Sequence, residues 1–434
     1  AEAPVAISAR SALLVLVGLI PLAFAPSRGF AWMWYGIVVL VCLLDALAAP
    51  SPRTLRMSRE VTGPIRADQS TEASLRLTNT TKRQMVLDVR DAWPPSLRQS
   101  PPLRRVRVLP KSAEKVTTLL SPTRRGTRHA DVVTIRSWGP LHLGARQVSI
   151  SAPLTLSVLP EFKARVLLPS RLARLHELEG TTPTTLRGAG TEFDSLRQYV
   201  VGDDVRSIDW RSTARRGEVV VRTWRPERDR RVLIILDTGR RAAARLGDMP
   251  RLDAQMEAAL LLAALASRAG DRVDVLALDN TVRAQVRGAS GAALMSSLAD
   301  AFAPLEASLL EMDWSLLAST VAQQLSQRSL VVVLTGIDGA GADAGMLRAT
   351  TALAKDHALV IASAIDPGLG ELRAERGDTA SVYSAAAAES DLVEQHAVRA
   401  RLARAGAEVV QADPAGLAPA LADTYLALKA WGRL

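Results

Sequence analysis

The sequence predicts a chain in three parts: an N-terminal transmembrane helical hairpin, a β-sandwich-like domain, and an α/β domain of Rossmann type with a mostly parallel sheet. Three observations predict it. The first 50 residues are nearly free of charge, residues 51–165 alternate apolar and polar positions, and residues 231–434 alternate continuous apolar runs with helical stretches. At 434 residues the chain is long enough for two or three separate cores.

The hairpin occupies residues 1–50. Residues 4–26 read as one helix, with Arg10 snorkelling to the interface and Pro21 as a kink that membrane helices tolerate. Residues 30–49 form the second run, and at ~1.5 Å per residue such a run spans a hydrocarbon core of ~30 Å. Phe30, Trp32, Trp34 and Tyr35 cluster where an aromatic belt sits, and Asp45 lies near the far end, within reach of headgroups. Ser27, Arg28 and Gly29 are left for a tight turn. Arg53, Arg56 and Arg59 follow the second helix and Arg10 begins the first, against Arg28 in the turn, so both chain ends are expected in the cytoplasm. A cleaved signal peptide ending near residues 23–25 is the competing reading, and the second apolar run argues against it.

Residues 51–165 read as the β-domain. Leu75 and Leu77 alternate with Ser74 and Arg76, and Leu154, Leu156 and Val158 repeat the pattern near the end. Asn79-Thr80-Thr81, Pro94-Pro95 and Pro101-Pro102 punctuate the strands, as in a small sandwich. Its polar residues read as solvated strand faces. Cys42 is the only cysteine, which excludes an internal disulfide, and the five histidines, His129, His142, His176, His357 and His396, lack zinc-ligand spacing. The net charge of +10 suits an anionic surface, lipid or nucleic acid. Aromatic residues make up 4% and do not interleave with basic ones, so a base-stacking surface, and with it a nucleic-acid partner, is not expected.

Residues 166–230 read as a linker carrying the most distinctive stretch. Asp203, Asp204 and Asp209 stand close in sequence to Arg206, Arg211 and Arg215, which suggests an ion-paired loop region packed through Phe193, Leu196, Tyr199, Ile208 and Trp210. The Gly188-Ala189-Gly190 step lacks the lysine and the strand–helix context of a phosphate-binding loop. The run E-F-D-S-L-R-Q-Y-V-V-G-D-D-V-R-S-I-D-W-R-S-T-A-R, Glu192 to Arg215, resembles the signature of the bacterial "domain of unknown function 58" family. Arg124-Arg125-Gly126 and the W-G-P-L-H-L-G run at residues 138–144 resemble two further stretches of that family, the second loosely. Binding residues carried by the signature would be Glu192, Arg197, Asp203, Asp204, Arg206, Asp209, Trp210 and Arg215.

In the α/β part, strands are expected at 231–237, 273–278, 330–334 and 358–362, with helices at 252–269, 291–302, 313–326, 344–356 and 415–431. Leu252, Met256, Ala259, Ala263 and Ala266 fall on one stripe of the first of these helices. Such alternation means a sheet covered on both faces, with its functional loops at the carboxyl ends of the strands. The family resemblance implies that this domain, 231–434, is like a von Willebrand factor type A domain, whose carboxyl edge holds Mg²⁺ through Asp-x-Ser-x-Ser, a Thr and a second Asp. Asp237 fits the first position, but Gly239 and Arg241 replace the hydroxyls and Gly336 replaces the second Asp, with Asp338 close by. The site is degenerate: Asp237 is the one metal-ligand candidate, it reads as a structural strand-end carboxylate, and no cofactor is expected.

No nucleophile–base pair is recognisable, so an enzyme is not expected. The resemblance implies instead a two-pass protein of the bacterial inner membrane, its soluble domains cytoplasmic, acting as an adaptor for a MoxR-type AAA+ ATPase in assembly or maturation of other proteins. A membrane-linked binder of nucleic acid or envelope ligands is the alternative that the basic charge suggests.

Overall fold

The structure, a computed structural model, describes residues 5–24, 28–181, 192–200, 203–225, 230–337 and 344–433. The chain divides into two compact units, Ala1–Glu161 and Phe162–Leu434.

The first unit opens with a short strand β1 (Val5–Ile7) and helices α1 (Ala9–Val17), α2 (Leu19–Phe24) and α3 (Arg28–Ala48). Among the described residues one helix, near the N-terminus, is long and apolar enough to cross a membrane. Arg28 and Gly29, expected in a turn, belong to α3 instead. The first apolar run breaks at Gly18 and not at Pro21, which lies inside α2. The cause is Trp34. Its indole N–H donates to the Leu14 carbonyl at 3.0 Å, the acceptor that the Gly18 N–H would use in an unbroken helix. Only a glycine fits there, since a Cβ on Gly18 would lie 2.2 Å from the indole ring.

Asp45 does not reach for headgroups. It is buried, and its carboxylate accepts from the backbone N–H groups of Leu141, Leu143 and Gly144 at 2.8, 2.8 and 3.0 Å. The W-G-P-L-H-L-G run is therefore a socket for the end of α3. Its two glycines are required by close approach: a Cβ on Gly139 would lie 2.3 Å from the Asp45 carbonyl, and one on Gly144 2.3 Å from the Cys42 carbonyl. Ser11 near the start of α1 donates to Leu143 O at 2.8 Å, so α1 begins on the turn where α3 ends.

The β-rich part has two sheets. Strands β2 (Leu55–Val61), β4 (Thr71–Asn79) and β7 (Ala113–Leu120) form one. In the other, β1, β9 (Gly144–Leu159), β8 (Gly126–Trp138), β5 (Met85–Asp91) and β6 (Arg104–Val108) lie side by side, with β3 (Ile65–Arg66) along β9. Alternate residues turn inward, so that Leu75 and Leu77 of one sheet bury against Met85, Leu87, Val133 and Ile135 of the other. Asp88 and Asp91 of β5 each hold an arginine and a tryptophan. Asp91 pairs with buried Arg59, which lies over the Trp93 ring, and Trp93 donates to Asp91 at 2.8 Å. Asp88 takes Arg105 at 2.6 Å and Trp138 at 2.8 Å. Burial pushes the Asp88 carboxyl up, but these bonds outweigh it and hold it below the usual range. Arg59, expected among the charges flanking the membrane, is thus a core residue.

The second unit begins with α4 (Leu168–Thr181), a hairpin of β10 (Glu192–Gln198) and β11 (Val220–Arg225), and α5 (Trp210–Arg216) between them. Where the sequence read a linker, these elements are ordered. The mixed sheet that follows has the order β16-β15-β12-β17-β18-β19. Strands β12 (Arg231–Asp237), β15 (Arg272–Leu278), β17 (Leu330–Leu334), β18 (Ala358–Ala364) and β19 (Glu408–Ala412) are parallel, and β16 (Val282–Val286) is an antiparallel edge. A two-residue ribbon, β13 (Arg245–Leu246) with β14 (Met249–Pro250), precedes α6 (Arg251–Arg268).

Helix α6, with α4, α7 (Gly291–Phe302) and α12 (Pro414–Ala430), covers one face of the sheet. Helices α8 (Trp314–Gln324), α9 (Ala344–Asp356) and α11 (Thr379–Arg404) cover the other, and a short α10 (Gly368–Ala374) leads into α11. Along β12, Val232, Ile234 and Leu236 enter the first core and Leu233 and Ile235 the second, which is why its sequence is continuously apolar. The stripe expected on α6 is too narrow: the helix is apolar on nearly every side and is buried accordingly.

Asp91→Asn would leave the Arg59 guanidinium buried without its counter-charge. A loss of about 3–5 kcal/mol is expected, read as a lower denaturation midpoint of the detergent-solubilised protein. The paired change Arg59→Met with Asp91→Leu is expected to cost less than Asp91→Asn alone, because no charge stays buried.

Candidate functional site

Parallel sheets present their loops at the carboxyl ends of the strands, and here that edge carries Asp237 and Thr238 after β12, Asp279 after β15, and Thr335 and Gly336 after β17. Asp237 is fully buried. One carboxylate oxygen accepts from the Gly239 N–H at 2.7 Å and the other from the Thr335 hydroxyl at 2.5 Å. Burial pushes its pKa up. Those two bonds and the positive charges of Arg241 and Arg251 offset part of that rise.

Asp279 is equally buried. It accepts from Arg283 Nε and Ser308 Oγ, each at 2.8 Å, and from the Thr281 N–H at 3.0 Å. Burial raises its pKa, and these donors more than reverse the effect. Through Ser308 it fastens the 303–313 loop across the edge, where Ser308 N–H donates to Thr238 O and Arg240 N–H to Leu310 O, both at 2.7 Å.

Whether Mg²⁺ suits this edge is settled by what fills it. Buried Arg251 reaches in from the start of α6, with Nε on Ala364 O at 3.0 Å and Nη1 on Arg241 O at 2.8 Å. A Cβ on Gly336 would lie 2.3 Å from Arg251 Nη1, and one on Gly239 2.6 Å from Leu310 O. Neither a carboxylate at 336 nor a hydroxyl at 239 can enter without displacing these groups. A guanidinium stands beside the acceptors a metal would need, so the residues present do not fit Mg²⁺. Among the described residues no group of three His, Cys, Asp or Glu side chains is placed to hold a metal ion. Asp338 lies outside the described residues.

The signature folds as one small module, the β10–β11 hairpin with α5 packed into its connection. Its carboxylates pair differently from the expectation based on sequence proximity. Asp203 pairs with Arg197 at 2.6 Å, and Asp209 with Arg222 at 2.7 Å. Asp204 accepts from the Arg206 N–H at 2.9 Å, and Asp209 caps α5 by accepting from the Ser212 N–H at 2.8 Å. That cap, followed by Arg222, holds the Asp209 carboxyl below its ordinary value. Arg206, Arg211 and Arg215 face solvent. Trp210, expected in the packing, is 68% exposed. Glu192 opens β10, and the Gly188–Gly190 step lies outside the described residues.

The arrangement therefore joins Arg197 to Asp203 and Asp209 to Arg222, and leaves Arg206, Trp210 and Arg215 outward. Arg222 was missed by sequence reasoning, although its place in an alternating strand opposite Leu196 was the available signal. Asp279 and Arg251 were missed as well. Asp279 follows an apolar strand as Asp237 ends one, and Arg251 heads a mostly apolar helix.

Removing the cap and its ion pair should loosen the module. Asp209→Ala is expected to speed tryptic cleavage at Arg206, Arg211 or Arg215 several-fold, while Trp210→Ala leaves the cleavage rate near wild type. For Asp237 the raised pKa sets the sign: its contribution to stability is greatest below the unfolded carboxylate pKa of about 3.9 and is lost as pH rises through the folded value. Asp237→Asn removes that dependence, so the melting temperature of the variant relative to wild type is expected to climb from pH 4 towards pH 8, as thermal melts at each pH would show.

A family model described as Protein of unknown function DUF58 matches residues 195–412. No curated protein sequence matches the chain. Among solved structures, the CARDB domain of PF1109 from Pyrococcus furiosus is similar over 24% of this chain and 94% of its own, at 13% identity and a TM-score of 0.16. SSP-19, an MSP-domain protein like family member in Caenorhabditis elegans, is similar over 22% of this chain and 94% of its own, at 11% identity and a TM-score of 0.18. A FixG-related protein from Vibrio parahaemolyticus is similar over 24% and 96%, at 12% and 0.17. At these scores the likeness informs neither fold nor function. The family match takes in about half of the chain, from within the signature to the last strand of the sheet, and the chain belongs to the DUF58 family.

Proposed function

We propose that the protein is a membrane-anchored, non-enzymatic adaptor. Two N-terminal helical passes hold both soluble units on the cytoplasmic side of a bacterial inner membrane, and the second unit is a vWA-like domain. The observation that carries this reading is the state of the sheet edge. The polar side chains that a hydrolase or a metal site would present to a substrate are bonded to the protein itself: Asp237 to Thr335 and Gly239, Asp279 to Arg283 and Ser308, and Arg251 to backbone carbonyls. Such an edge holds a shape. The two-pass reading draws support from the start of α1 and the end of α3 meeting at the same turn, and from the row of exposed apolar residues along α1 to α3.

The partner follows from the family resemblance: a MoxR-type AAA+ ATPase, which this protein assists in assembling or maturing other proteins. The test is a detergent pull-down of the tagged full chain from its native membrane, with and without ATP, read by mass spectrometry. Strong enrichment of an AAA+ ATPase over an untagged control is expected. Its absence under both conditions overturns the partnership.

A further inference from the structure

The last turn of a helix leaves carbonyl groups with no later N–H to bind them. In α3 two arginines distant in sequence answer them. Arg146 donates through Nε to Ala46 O at 3.0 Å and through Nη2 to Leu47 O at 2.9 Å, and Arg83 donates through Nη2 to Ala48 O at 3.0 Å. Both guanidinium groups therefore sit around one turn of the apolar helix. Among the described residues neither forms an ion pair with a carboxylate. The carboxylate of Asp45 in the same helix end is turned into its socket of backbone N–H groups.

The neighbours of these cations are apolar. Leu43, Leu44 and Leu47 stay exposed in the last two turns of α3, as does Leu141 in the socket turn. Arg10, at the start of α1, and Arg53, just past α3, are exposed near the same end of the helices. Charge and apolar surface thus meet where α3 would leave a bilayer.

We propose that Arg83 and Arg146 form a binding site for the phosphate of an anionic phospholipid at the membrane surface. The proposal rests on the membrane placement given above. A guanidinium bonded to neutral carbonyls keeps its full charge, and the partial negative charge of a helix end offsets only a fraction of two cations. Its remaining N–H groups lie in a planar fork that matches phosphate oxygens. A headgroup beside the leucines would supply the missing anion while its acyl chains cover the apolar surface. The site would also press the socket turn onto the bilayer, so that the β-rich part and the helix end meet the membrane together.

The test uses the delipidated full chain in detergent, with bound lipid counted by native mass spectrometry. With two basic residues at an anionic surface, about thirtyfold tighter binding of palmitoyl-oleoyl phosphatidylglycerol than of the phosphatidylcholine is expected. Arg83→Gln with Arg146→Gln should abolish the preference, and Arg83→Lys with Arg146→Lys should keep most of it. Equal binding of the two lipids by the wild type, or an undiminished preference in the glutamine variant, overturns the proposal. So does displacement of the lipid by millimolar inorganic phosphate, which would assign the site to the free anion. If the glutamine variant fails to fold, the lysine variant and the wild-type lipid comparison still decide. Alkaline carbonate extraction of native membranes separates the two failures: a protein released by carbonate sinks the membrane placement, and one retained without lipid preference sinks the site alone.

Discussion

A carboxylate withdrawn from water must be met by donors, and this structure is fastened together at the places where that demand is satisfied. Asp45 joins the end of α3 to the turn between β8 and β9. Asp91 joins β5 to β2 through Arg59. Asp237 joins β12 to β17 through Thr335, and Asp279 draws the 303–313 loop over the sheet edge. Asp271 receives the hydroxyl of buried Tyr425 and the amine of Lys429, and so ties α12 to the start of β15. Apolar packing supplies most of the driving force in each unit, but it is tolerant of small slips. A buried acid with two or three directed donors is not, and it fixes which elements meet and in what register.

The kind of donor differs from site to site, with consequences. Asp91 is met by a cation, so losing either partner strands a charge. Asp45 is met by backbone N–H groups, which of all substitutions only proline would delete. The helix end therefore depends on the path of the turn, and hence on Gly139 and Gly144. Asp237 is met by one hydroxyl and one N–H, with arginines near but on carbonyls. At Asp237 burial outweighs these bonds and raises the pKa, whereas at Asp279, which lies less deep in the protein, the donors outweigh it.

How much of this was legible follows from the range of each interaction. Strands β12, β15, β17 and β18 were plain because burial on both faces makes them continuously apolar, and the apolar N-terminal helix was plain for a similar reason, whereas the outer strands β16 and β19, partly exposed, were not read. The break at Gly18 was not, since it comes from the Trp34 indole bonding the Leu14 carbonyl 20 residues away along the chain. Arg59 looked like a flanking charge because sequence shows the charge and not its partner at Asp91. In the signature the carboxylates were assigned to the nearest arginines, whereas hairpin register brought Arg222 to Asp209. Asp237 was legible as the end of a strand. That Arg251 occupies the space beside Gly336 was not, because the two meet only once α6 has packed on the sheet. The long helix α11 left little periodic trace, since few of its residues are buried.

These contrasts bear on where recognition resides. A site that binds must offer groups whose needs are incompletely met by the protein's own structure. Among the described residues the sheet edge offers few: Asp237 and Asp279 are bonded within the protein and Arg251 is bonded to backbone carbonyls. The signature module has the opposite character. Asp203, Asp204 and Asp209 are used internally, by Arg197, Arg222 and two capping N–H groups, while Trp210, Arg206 and Arg215 face solvent. Exposed tryptophan and arginine are the side chains that most often anchor protein interfaces. A module that uses Asp203, Asp204 and Asp209 internally while turning Trp210, Arg206 and Arg215 outward has the character that the proposed adaptor role requires.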